Sequence, residues 1–139
     1  MKIEITNRQK IKRVNLKQLR RYLTKTARLL SISGKKISLL LCDNKLITDL
    51  NQRYFKKARP TDVIAFNLSD CFDPDYLGEV VVSVEEAVKV SGQLDLPWQE
   101  ELLLYCVHGV LHLLGYDDRS KIKRVAMEKK QLQIMRVIK

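Results

Sequence analysis

The sequence predicts an α+β fold: a small mixed sheet of about four strands packed with about five helices, one of them buried and carrying a metal site. Two observations carry this. Apolar residues recur with period two in some stretches and with helical spacing in others, in the order β-α-β-α-β-β-α-α-α. The most apolar run, residues 98–118, also holds both histidines of the chain. At 139 residues the chain reads as a single domain, 1–139, long enough for a substantial core. The pattern leaves the strand order open.

In chain order, residues 2–6 alternate, with Ile3 and Ile5 on one face, and read as a first strand. A basic connection with Arg8, Lys10, Lys12 and Arg13 leads to Asn15, a plausible N-cap. Leu16, Leu19, Tyr22, Leu23, Thr26, Leu29 and Leu30 then recur at helical spacing. Lys17, Arg20, Arg21, Lys25 and Arg28 line the opposite face, either as a solvated surface or as a platform for a polyanion backbone. Gly34 falls in the break that follows. Residues 36–42 are a mostly apolar strand, and Asp43 caps a second helix that turns Leu46, Ile47, Leu50, Tyr54 and Phe55 inward. Lys56, Lys57 and Arg59 follow, and Pro60 disfavours helix at Arg59. Residues 61–68 form a third strand, 70–77 an acidic loop and 78–84 a fourth strand. Ser83 caps a helix from 84 to about 94, with Glu86 placed to complete a capping box and Gly92 weakening its end.

Pro97 suits the first turn of the next helix, and Glu100 and Glu101 suit its positive end. Leu102, Leu103, Leu104, Tyr105, Val107, Val110, Leu111, Leu113 and Leu114 cover every face, so this helix belongs in a core. Gly115 is its natural stop. After Ser120 a last helix carries Ile122, Val125, Met127, Leu132, Ile134 and Met135 among many charges, and packs one side on the body.

His108 and His112 stand four residues apart, which on a helix puts both on one face. Two neutral imidazoles so placed chelate a divalent metal. Past the glycine turn, Asp117 or Asp118 can fold back as a third ligand and leave one position open for water, the catalytic pattern for zinc. The peptidase variant H-E-x-x-H needs a glutamate after the first histidine, and here that position is Gly109.

Charge and composition narrow the classes further. Lys and Arg number 26 against 16 Asp and Glu, a net charge of +10, which favours a polyanionic partner. Charges interrupt every apolar run, so none has the length of a membrane span. Cys42, Cys71 and Cys106 are odd in number and lack C-x-x-C spacing, as expected of reduced cytosolic thiols. A cytoplasmic location is the expectation.

The run His108-Gly-Val-Leu-His-Leu-Leu-Gly-Tyr-Asp-Asp118 resembles the signature of the YbeY-type endoribonucleases, or rRNA maturation factors, His-Gly-x-Leu-His-Leu-x-Gly-Tyr-Asp-His. Leu50-Asn51-x-x-Tyr54 with Arg59-Pro60-Thr61-Asp62-Val63-Ile64-Ala65-Phe66, and the stretch from Leu77 to Ser83, are similar to two further blocks of that family, in the same order. The resemblance implies a zinc-dependent, single-strand-specific endoribonuclease holding one Zn2+ per chain on His108, His112 and Asp118. It implies a role in small-subunit (16S) rRNA maturation and ribosome quality control, with rRNA and the ribosomal small subunit as partners. Two positions depart from the pattern. Asp118 stands for the third metal-binding histidine, and Phe55 stands for an arginine implicated in activity. Arg59 is then either a substitute catalytic cation or an ordinary loop residue. Asp117 either stands behind a ligand histidine and orients it, or caps the turn. Arg20, Arg21, Lys56 and Lys57 are the candidates for RNA contact. The alternatives are a non-catalytic rRNA- or ribosome-binding assembly factor of the same fold, and a metal-dependent hydrolase of small substrates.

Overall fold

The computed structural model describes residues 1–69 and 72–139. The elements are β1 (Lys2–Asn7), α1 (Leu16–Leu29), β2 (Lys36–Cys42), α2 (Asn44–Phe55), β3 (Val63–Asn67), β4 (Tyr76–Ser83), α3 (Val84–Leu94), α4 (Trp98–Leu113) and α5 (Lys121–Ile138). This is the expected α+β order. The third strand is shorter than the sequence suggests, and the fourth starts two residues earlier. Cys71 and Asp70 lie outside the described residues.

The sheet runs β1-β2-β4-β3 and is mixed: β1, β2 and β4 are parallel, and β3 joins the edge antiparallel to β4. Period-two alternation then sorts side chains between two unequal faces. Ile3, Ile37, Leu39, Leu41, Val80 and Val82 meet α1, α3, α4 and α5 in the main core. Cys42, Ile64 and Val81, with Leu40 and Phe66, meet only Ile47, Leu46 and Leu50 of α2 on the other face.

Polar caps set most of the helix starts. Asn15, Asp43, Ser83 and Ser120 each accept from the backbone N–H three residues on, removing one unpaired donor per helix. Pro97 occupies the N-cap position of α4 and not its first turn. The expected capping box of α3 is half formed. Glu86 N–H donates to Ser83 Oγ at 3.1 Å, but the Glu86 carboxylate accepts from Asn44 Nδ2 at 3.0 Å, while Ser83 N–H donates to the Asp62 carbonyl. Tertiary partners outbid the local one because α2 and α3 start side by side at the ends of β2 and β4. The helix α3 runs on past Gly92 to Leu94, and Asp95 takes the left-handed conformation that ends it.

A second departure concerns α2. Its inward face carries Ile47 and Asn51, whereas Tyr54 and Phe55 stay 58% and 49% exposed. Past Phe66 the same sheet face turns polar, with Glu79 and Ser38, so the last turn of the helix has little apolar surface to enter.

As expected, α4 is buried nearly all round. A Cβ on Gly109 would meet Val80 Cγ1 at 2.4 Å and Val63 Cγ2 at 3.1 Å. The missing side chain lets the helix lie directly on β4 and β3. A glutamate there has no room, so the position could not supply a peptidase-type base. Among the described residues, no helix is long and apolar enough to cross a membrane.

Candidate metal centre

The helical spacing of His108 and His112 brings their imidazoles together, with ring centroids 4.6 Å apart and planes at 80°. Their Nε2 atoms lie 3.0 Å from each other. Each ring is held from behind. His112 Nδ1–H donates to the Tyr116 carbonyl at 3.0 Å, and His108 Nδ1–H donates to Gln131 Oε1 at 2.8 Å. A carbonyl can only accept, so His112 carries its proton on Nδ1. With the amide of Gln131 presenting oxygen, His108 does the same. Two Nε2 lone pairs then face one another at 3.0 Å. Two imidazole nitrogens so placed are donors that one divalent metal takes together. The two histidines therefore fit two of the ligand positions of a metal.

The turn after α4 builds half of this support. Gly115 takes φ +95°, its N–H donates to the His112 carbonyl, and Tyr116 N–H donates to the Leu111 carbonyl, a Schellman arrangement. The reversal aims the Tyr116 carbonyl back at His112. Burial pushes the His112 pKa down, and the neighbouring His108 adds to that. Asp118, the Tyr116 carbonyl and Asp117 act in the opposite sense. The net direction favours the neutral imidazole, the form that ligates metal.

The two aspartates have different surroundings. Asp117 Oδ1 accepts from Arg119 N–H at 3.1 Å, and Oδ2 pairs with Arg119 Nε at 3.7 Å and Lys123 Nζ at 3.6 Å. The Arg119 N–H, then the two cations, hold its carboxyl below the usual range. Asp117 thus serves the turn. Asp118 is exposed, and its charge reaches His112. Among the described residues, no three of His, Cys, Asp and Glu gather closely enough to hold a metal.

His112 opens onto a cavity of about 440 Å³, lined also by Asn51, Phe55, Thr61, Asn67 and Arg119. Asn51 is buried, and its Nδ2 donates to the Arg59 carbonyl at 3.0 Å, tying the 56–59 turn to α2. Arg59 itself is exposed and is not among the lining residues, so the cation at this cavity is Arg119. Lys56 and Lys57 sit on that turn, next to Phe55. Arg20 and Arg21 lie elsewhere: α1 meets α4 at Leu102 and Leu103, about 15 Å of helix before His112. The Arg20 guanidinium donates to the Ile3 carbonyl, and Arg21 lies over the Tyr22 ring at 5.9 Å. A wider depression of about 650 Å³, between Arg8 and Asp43 on one side and Gln52 on the other, does not touch the histidines.

Sequence reading missed Gln131 and Arg119. The first lies 23 residues from its histidine and carries no spacing signal. The second follows the motif immediately, and its position two residues past Asp117 in a polar turn was the available hint.

A family model described as Endoribonuclease YbeY matches residues 2–139. An Endoribonuclease YbeY of Syntrophus aciditrophicus is 37% identical over 140 residues, covering 96% of this chain and 88% of that protein. One from Carboxydothermus hydrogenoformans is 38% identical over 99 residues, covering 71% and 69%. The solution structure of a Thermotoga maritima protein superposes with a TM-score of 0.69 at 25% identity, covering 98% of this chain and 88% of that one. A match across the whole chain, reaching through sheet, buried helix and histidine pair alike, places this chain in the Endoribonuclease YbeY family.

Proposed function

We propose that the chain is a zinc-dependent endoribonuclease that cuts single-stranded RNA in the maturation and quality control of small-subunit (16S) rRNA. The observation that carries the metal dependence is the pair of Nε2 atoms facing each other at 3.0 Å, each ring fixed through Nδ1. His108 and His112 would hold one zinc, with Asp118 as the third protein ligand. Bound there, zinc supplies Lewis acidity and an acidified water to a phosphodiester. The chain's own residues do the rest. Burial keeps His112 neutral, while Gln131 and Tyr116 fix the directions of the two imidazoles. Arg119, at the cavity wall, balances charge on a phosphate entering beside His112. Asn51, Thr61 and Asn67 offer hydrogen bonds to the nucleotide in the same cavity. Lys56 and Lys57 take the flanking phosphates. The net charge of +10 supports a polyanionic substrate.

A second reading, an RNA-binding assembly factor without turnover, is favoured by the exposure of Asp118 and the absence of a third gathered ligand among the described residues. Cleavage of unstructured and duplex RNA by the zinc-loaded chain, with and without chelator, separates the two. The first reading expects cleavage of the unstructured strand alone, abolished by chelator and by His108→Ala. Salt-sensitive binding with no cleavage in any condition would select the second.

A further inference from the structure

We propose that Tyr54, Phe55 and Phe66 form a platform on which an unpaired RNA base stacks beside the His108–His112 pair. The inference rests on the ribonuclease reading for its ligand, and adds what holds the strand.

Three rings meet where α2 ends over the edge of the sheet. Tyr54 stands edge-on to Phe66 at 5.1 Å between centroids, and Phe55 lies nearly parallel to Phe66 at 6.3 Å, with 23° between planes. Phe66 is half-buried, while Tyr54 and Phe55 keep about half of their surface in water. The turn behind the rings is well bonded. Lys56 takes the left-handed conformation at the helix end, the Lys56 N–H donates to Gln52, the Lys57 N–H donates to Asn51, and the Asn51 side chain clamps Arg59. About half of each of these two rings is thus open to solvent beside a hydrogen-bonded turn.

Position and charge name the occupant. Phe55 lines the same cavity as His112 and Arg119, so a base stacked on it lies at the mouth of the candidate centre, while Tyr54 and Phe66 line the adjoining depression of about 360 Å³. Between Asp49 and Asp62 the chain carries Arg53, Lys56, Lys57 and Arg59 and no acidic residue. Lys56, Lys57 and Arg59 are exposed, and Arg53 pairs with Asp49 at 3.4 Å. An apolar ring set among cations is the arrangement that binds single strands, with bases on the rings and phosphates on the cations. A duplex keeps its bases stacked on each other and offers none to the platform.

Fluorescence anisotropy on the full chain in chelator, where nothing is cleaved, tests this with a labelled short oligouridylate and an abasic oligomer of the same length. The wild type is expected to prefer the base-bearing strand. Phe55→Ala should weaken that strand's binding on the order of tenfold, leave the abasic strand unchanged, and be rescued by Phe55→Trp; Tyr54→Ala should act in the same direction. Equal binding of the two strands by wild type, binding of neither, or an equal loss on both in Phe55→Ala would overturn the platform. Failure of the ribonuclease reading looks different: base-selective binding would persist while the zinc-loaded chain cleaves nothing.

Discussion

Gln131 is the residue on which His108 most directly depends. Its Oε1 accepts the Nδ1 proton at 2.8 Å and so turns Nε2 towards His112. Gln131→Ala frees that ring, and zinc affinity should fall about 10- to 100-fold, as for other partners behind metal-bound histidines. Calorimetric titration with zinc checks this, with Gln131→Glu expected to retain affinity; an unchanged constant in the alanine variant would remove Gln131 from the centre. The histidine pair was legible in the sequence because one helix carries both residues. Gln131 was not, because its contact crosses between helices. For Asp117 the sequence left two roles open, and the structure shows its carboxylate on Arg119 N–H within the turn. The cysteines give a second prediction at this scale. Burial pushes Cys42 and Cys106 each up to about 12. Folded, both thiols stay protonated, while unfolded they ionise near the ordinary 9.0. They therefore favour the fold fully below about pH 9, and that contribution is lost as pH rises from there towards 12. Peptide mapping after alkylation at pH 8 should find both unmodified in the native chain and modified in denaturant. Rapid native labelling of either would contradict their burial.

At the scale of elements, the close approach of α4 to the sheet is what fixes the centre. Gly109→Ala forces a methyl group against Val80 and Val63, and should destabilise the fold by about 1–3 kcal/mol in urea unfolding. No loss of stability would mean that the helix rides higher on the sheet. Strand and helix identities were readable throughout, because apolar period and polar caps agree at Asn15, Asp43 and Ser83. Two details were not. Glu86 answers to Asn44 across an interface, so a local capping rule could not place its carboxylate. Tyr54 and Phe55 continue the apolar spacing of α2, but the sheet face opposite turns polar at Glu79 and Ser38. Spacing reports which face a residue shares, and not how far the opposing surface extends.

For the whole molecule, the net charge of +10 is general, and the sites that use it are local. RNA affinity should fall with salt, with a log–log slope of about 0.7 per phosphate contacted on a single strand. Lys56→Glu with Lys57→Glu should lower that slope, because both lie beside the cavity. Arg20→Glu with Arg21→Glu should lower it less, since α1 meets α4 well before the histidines. The reverse order would move the RNA path to the outer face of α1. The central claim is that the facing imidazoles hold a metal, and elemental analysis of the purified chain beside His112→Ala tests it most directly. About one zinc per chain in the wild type and none in the variant is the expected result. No metal in the wild type, even after reconstitution with zinc, would contradict the claim and leave the two histidines as side chains of a buried helix.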